Sequence, residues 1–331
     1  ITIIALNALI GIVTQPHTMG NCAAGRTESD GRFGFTAGNF IKRICTMAWC
    51  IVGIAAVGHL AGREVEPDKV YGIMAHEFFP KIMPGLLGIF LASLLASVMS
   101  SCDSFMIASS ALFTENLYKP LAPDKNAKHY LNVGRITSLV IVAGGLASAY
   151  FLEGVVQGIE IFWKISPMLG IAFWLGLFWR RMTTAGAWAS TLAAFGMLIL
   201  TGQGFFIRFM SDLCPSFVKA DGSAMMLHWQ MIFYLTAGFG AGIIASLLSK
   251  PEDEKQLDRF YELVRTPVDT EEGTPAEPCT IPEGVTIPPK RLIVKTGGLE
   301  LLVPNKMSVV GFIASWLVVG AMILGFYLLT R

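Results

Sequence analysis

Eight stretches almost free of charged residues run through this 331-residue chain, and no other feature constrains its fold as strongly. They cover residues 1–13, 44–61, 86–113, 136–152, 155–179, 185–207, 229–249 and 308–329. A helix needs about 20 mainly apolar residues to cross a hydrocarbon core about 30 Å thick, and most of the stretches are long enough. A soluble protein would instead have to bury eight helices that are apolar on every side. Composition points the same way: 15% of residues are charged, against about a quarter in soluble domains. Mean hydropathy is +0.57. The expected fold class is an all-α integral membrane protein with about eight transmembrane helices, multi-pass, with the lipid bilayer as its surroundings. The 86–113 stretch, at about 1.5 Å per residue, exceeds the core thickness and must tilt or project. The 136–152 stretch is short and is expected to extend back through Leu131.

Other classes fall away. Lys and Arg number 25 against 24 Asp and Glu, so no net basic field exists for nucleic acid. Cys22, Cys45, Cys50, Cys102, Cys214 and Cys279 are scattered without a CxxC pair. They read as small buried apolar residues, not a disulfide frame or zinc site. His76-Glu77 begins a zinc-protease signature, but Pro80 stands where the second histidine is required. Gly238, Gly240 and Gly242 resemble a nucleotide loop, yet they sit inside an apolar span with no strand before them. Close helix packing is the better reading. There is no P-loop and no GxSxG, so the chain is not read as an enzyme.

Basic residues set an expected orientation. With residues 14–43 placed inside and the spans alternating, 18 Lys and Arg fall inside, six outside, and Lys164 within a span. The outer 62–85 loop carries an apolar segment, 70–79, that reads as a lid helix closed by Pro80. The inner 250–307 loop opens with an amphipathic helix over 251–264, then a Pro/Glu/Thr-rich linker over 267–289. The chain opens at Ile1 inside an apolar run without a charged leader, so it reads as the second half of a span, and the sequence as a fragment.

Three features carry candidate chemistry. On a helix at about 100° per residue, Ser93, Ser97, Ser100, Ser101 and Ser104 share an arc of about 100°, with Asp103 on its flank. Such a face can pack helices through hydrogen bonds, or it can coordinate a small hard cation. An intramembrane carboxylate such as Asp103 is costly and marks a candidate ion or proton site. In the run Gly11 to Gly20, Pro16 and Gly20 are expected to interrupt the first span. Interrupted spans free backbone groups for substrate or ion, which makes Gly11 and Gln15 candidate substrate or gate residues; the alternative is a span that ends at Pro16. Glu160 and Lys164 form an i, i+4 pair ahead of Pro167 and Gly170. Glu160 is either a gate contact or half of a neutralised pair.

Several runs resemble the sodium/solute symporter family, the group of the sodium/glucose, sodium/proline and sodium/pantothenate transporters. They are Thr14-Gln-Pro-His17, Ala96-Ser-Val-Met-Ser-Ser101, Ser109 to Lys119, Gly176-Leu-Phe-Trp-Arg-Arg181 with Thr183-Thr-Ala-Gly186, and Leu257 to Val268. The resemblance implies a LeuT-like fold of two inverted five-helix repeats, here truncated. Residues 1–20 would then end the sixth core helix and 21–43 form an inner loop. Residues 44–61, 86–113, 131–152 and 155–179 would be core helices seven to ten. Stretches 185–207, 229–249 and 308–329 would be peripheral helices, and 250–307 a cytoplasmic loop. The family's sodium site maps onto the carbonyl of Ser97 and the hydroxyls of Ser100 and Ser101. Where the sugar transporters carry an aromatic gate, this chain has Ile10, Gly11 and Ile12; Ile159 stands nearest their glutamine, and Ala8 nearest the proline branch's aromatic residue. The implied function is Na+-coupled symport of a small organic solute other than a simple sugar, in a bacterial inner (plasma) membrane. The alternatives are a proton-coupled carrier using Asp103 and a membrane sensor of the same fold.

Overall fold

The structure is a computed structural model, and it describes residues 1–12, 14–152, 154–220, 222–266, 280–281, 287, 289–294 and 297–329. The described chain is built of helices, with three isolated bridges as its only extended pairings. Lipid offers backbone groups no hydrogen bonds, so an apolar run must satisfy them along its own helix. Among the described residues, seven helices are long and apolar enough to cross a membrane. The chain is an integral, multi-pass membrane protein.

Helices α1 (Thr2–Ile12) and α2 (Pro16–Ala23) replace the single opening span. Pro16 begins α2, where its missing N–H costs nothing. Gly20 lies inside α2 and interrupts nothing, contrary to expectation. Helix α3 (Glu28–His59) starts well before residue 44, so most of the expected 21–43 loop is helical. Its 32 residues reach about 48 Å at 1.5 Å each; the charged first half projects beyond the apolar core. Helix α4 (Val70–Ile82) is the expected lid segment, but Pro80 does not close it. Pro80 costs only one hydrogen bond in a last turn, and Met83 N still reaches Phe79 O at 3.1 Å.

Helix α5 (Leu86–Leu112) continues through a π-helical turn, Phe113–Tyr118, into the short α6 (Lys119–Leu121). Helix α7 (Ala127–Tyr150) starts earlier than Leu131 because Asn126 caps it, accepting from His129 N at 2.8 Å. Helix α8 is Val155–Phe178. The 185–207 stretch divides into α9 (Thr184–Thr201) and α10 (Gly204–Leu213), since Gly202 and Gly204 flank the junction. Then come α11 (Leu227–Leu248), amphipathic α12 (Glu254–Arg265) and α13 (Lys306–Leu329). The expected 267–289 linker lies almost wholly outside the described residues.

The chain forms two compact units. One comprises residues 1–19, 25–28 and 158–304. Its core gathers Ile10, Met168, Ile171, Ala194, Met231, Tyr234 and Leu235. Helices α9 and α11 pack closely because their facing residues are small: a Cβ on Gly242 would lie 3.0 Å from Ser190 Cβ, and one on Gly238 3.2 Å from Ala194 Cβ. The glycine run of α11 thus packs helices, as expected. The other unit comprises residues 20–24, 29–157 and 305–331, with α5 lying against α4 and α7. Most of its apolar side chains are exposed. Cys45, Cys50 and Cys102 are exposed too, while Cys22 and Cys214 are intermediate; all five are free. The reading of the cysteines as buried residues is therefore corrected. The helix faces of Cys45, Cys50 and Cys102 are uncovered by the described residues, and Cys279 lies outside them.

Candidate functional site: a broken helix and a serine face

The interruption between α1 and α2 is built by residues far apart in sequence. Gln15 precedes a proline, which disfavours helical backbone. Gly11 O accepts from Thr14 Oγ1 at 3.0 Å and Thr14 N at 3.3 Å. Ser166 Oγ of α8 donates to the same carbonyl at 3.0 Å and accepts from Gln15 Nε2 at 3.2 Å. Trp174 Nε1 donates to Ile10 O at 3.2 Å. The carbonyls at the break are thus clasped by α8.

Two glycines permit this approach. A Cβ on Gly11 would sit 2.5 Å from Ser166 Oγ, and one on Gly170 2.2 Å from Ile10 O. Proline supplies a second device. Pro167 has no N–H to give the carbonyl four residues earlier, that of Trp163. Asn7 Nδ2 donates to Trp163 O at 2.9 Å instead. Asn7, 2% exposed, also accepts from Tyr234 Oη at 2.5 Å. The polar groups of both distorted helices are repaired by side chains, as a bilayer requires.

Gly11 and Gln15 are therefore brought together by Ser166. Glu160 is not brought to them; its ion-pair partner is Lys164, at 3.6 Å. Sequence reasoning missed Asn7, Ser166, Trp174 and Tyr234. A lone Asn in an apolar helix and a Ser beside a mid-span proline were the available signals.

The serine face lies on α5. Ser97, Ser100, Ser101 and Asp103 are all exposed. Ser101 Oγ donates to Ser97 O at 3.1 Å, Ser104 Oγ to Ser100 O at 3.2 Å, and Ser93 Oγ to Ile89 O at 2.8 Å. These are bonds back to the preceding turn, a habit of helical serines. They bring the Ser97 carbonyl and Ser101 hydroxyl together as two neutral oxygens on one face. Asp103 has no hydrogen-bond or ion-pair partner among the described residues.

Charged clusters lie outside the spans. On α4, Glu77 meets His59 at 3.1 Å, Lys81 at 3.7 Å and Arg63 at 3.8 Å. The His59 hydrogen bond, with Lys81 and Arg63 nearby, outweighs desolvation and holds the Glu77 carboxyl below its usual range. At the end of α8, Arg181 Nη2 donates to Ser249 O at 2.7 Å and Leu247 O at 3.2 Å, closing the C-terminus of α11. Glu252 Oε1 accepts from Thr184 N and Thr184 Oγ1, both at 2.8 Å, at the start of α9. Those bonds hold its carboxyl below the usual range.

A family model for the sodium:solute symporter family matches residues 1–194, which run from α1 into α9. The chain belongs to the sodium:solute symporter family. The family resemblance read from its motifs is borne out. Similar proteins include the sodium/proline symporter of Haemophilus influenzae, 28% identical over 274 residues, 76% of this chain and 48% of that protein. The sodium/glucose cotransporter of Vibrio parahaemolyticus is 26% identical over 210 residues, 58% of this chain and 37% of that one. The sodium/pantothenate symporter of H. influenzae is 26% identical over 219 residues, 63% and 43% of the two chains. This symporter-family chain spans less than half the length of these relatives, which are transporters and not enzymes.

Proposed function

We propose that the protein carrying this chain is a Na+-coupled symporter of a small organic solute, working by alternating access in a LeuT-like fold. The observation that carries the reading is the interrupted α1–α2 helix, inside the family-matched residues, clasped to α8 through Ser166 and Trp174. Discontinuous helices at the repeat interface are where such transporters bind solute and ion. In this reading α1 and α2 belong to the sixth core helix, α5 is the eighth and α8 the tenth.

Sodium is cargo here. Its site would use the Ser97 carbonyl with the Ser100 and Ser101 hydroxyls, neutral oxygens suited to a hard cation. The serines' partners on the first core helix would come from outside these residues. Sodium holding α5 in one state better than the other is what couples the ion to the solute. The membrane potential adds about 2.3 kcal/mol per charge per 100 mV. The Gln15-Pro16-His17 run favours the proline-type branch over simple sugars. The bacterial relatives support an inner-membrane location.

The test is uptake by the complete protein in proteoliposomes, using proline, pantothenate and glucose as probes. An inward sodium gradient is expected to drive at least one of the first two, and a matched potassium gradient none. Uptake indifferent to the sodium gradient would overturn the proposal.

A further inference from the structure

Two of the motifs that carried the family resemblance meet at one place. Gly176 to Arg181 closes α8, and Leu257 to Val268 includes most of α12. Tyr261, 4% exposed, donates its phenol to Gly176 O at 2.9 Å. The Arg180 guanidinium lies 5.3 Å from the centre of the Tyr261 ring and pairs with Asp258 at 2.5 Å and Glu300 at 2.9 Å. Glu300 is 5% exposed and also pairs with Lys290. The main chain joins in: Glu300 N donates to Phe178 O at 2.8 Å, and Arg180 N to Gly298 O at 2.9 Å.

A helix end leaves its last four carbonyls without partners in the helix. At α8 two of the four, Gly176 O and Phe178 O, are taken by Tyr261 Oη of α12 and by Glu300 N. Together α12 and residues 298–300 form a strap across the end of the helix. Burial raises the Glu300 carboxyl, but Lys290 and Arg180 outweigh it and hold it below the usual range, so the strap stays charged and paired near neutrality.

The same helix clasps the break. From Phe178, Trp174 is about one turn back and Ser166 about three, roughly 18 Å along the axis. Packed side chains, hydrogen bonds and rigid helices are the physical carriers of coupling between sites, and α8 supplies all three between the strap and Gly11.

We propose that Arg180 and Glu300 are positioning residues. The strap they lock fixes where α8 stands, and through Ser166 and Trp174 it sets how tightly the broken helix is held. The proposed role in a transport cycle rests on the symport reading; the coupling itself does not.

The experiment is hydrogen–deuterium exchange on the complete purified protein in sodium chloride, comparing wild type with Glu300→Gln and Arg180→Lys. The lysine keeps the charge but loses the fork that serves Asp258 and Glu300 together, so it carries the test if Glu300→Gln does not fold. The expected result is exchange at least fivefold faster in peptides covering residues 8–20 and 163–176, with residues 127–150 unchanged. Faster exchange confined to 177–182 and 254–302 would overturn the proposal, as would acceleration that includes 127–150. Absence of sodium-driven uptake with the expected exchange pattern would retire the symport reading and leave the coupling standing.

Discussion

The broken helix and the serine face are both polar devices in apolar helices, and the structure treats them in opposite ways. At the break, Asn7 is 2% exposed and Tyr234 0%. Asn7, Ile10 O, Gly11 O and Gln15 each meet a partner on α8 or α11. On α5, Ser93, Ser97, Ser100 and Ser101 are exposed, and the hydroxyls of Ser93, Ser101 and Ser104 bond to their own preceding turn. A buried polar group costs free energy unless it is paired, so the break demands its partners within this chain. An exposed hydroxyl bonded to its own helix demands none, and it remains open to exchange that bond for another ligand. Burial therefore marks the break as the network that holds helices of this chain together.

The contrast is broken most directly at the glycines. Gly170→Ala would place a Cβ 2.2 Å from the Ile10 carbonyl oxygen, where backbone must move. Overpacking of this kind costs about 1–3 kcal/mol. A substantially lower melting temperature is expected, while Gly196→Ala, with open space around its Cβ, should not lower it. Equal stability of the two variants would show that α1 and α8 do not approach as described.

Tyr234→Phe is a smaller change. It leaves Asn7 Oδ1 buried without its donor, at a cost of about 1 kcal/mol. Thermal unfolding would register the loss, and the Tyr234→Phe/Asn7→Ala double variant should lose less than the sum of the singles. Strict additivity would remove Asn7 from the network.

The smallest effect belongs to helix α4. The Glu77 carboxyl has a lowered pKa, so its contribution is present above the ordinary carboxylate value, 4.5, and is lost as pH falls through the folded value below it. Amide protection in α4 should weaken as pH falls below about 4.5, and Glu77→Gln should abolish that loss. A loss that persists in the variant would point to another group.

Much of this architecture was legible because an apolar run in lipid has one outcome. The spans from Leu86, Val155 and Leu227 fell within a few residues of their expected places. Helix α3 was legible only from residue 44, since Glu28 to Arg43 is helical but polar and carries no apolar signal. Gly202 and Gly204 divided a run that hydropathy alone joins. Within the site, Gly11 and Gln15 were legible from Pro16, but their partner Ser166 lies about 150 residues away, and no local pattern links them. The strap escaped for the same reason: Arg180 and Glu300 pair across 120 residues.

The central claim, that the exposed serine face receives sodium, is tested most directly by thermal stability of the complete protein in sodium chloride against potassium chloride at matched ionic strength. A ligand that binds only the folded state stabilises by RT ln(1 + [L]/Kd). The expected result is a sodium-specific rise in melting temperature that disappears in the Ser100→Ala/Ser101→Ala variant, with that variant's potassium value close to wild type. Equal melting in the two salts, or a sodium rise that survives in the double variant, would contradict it.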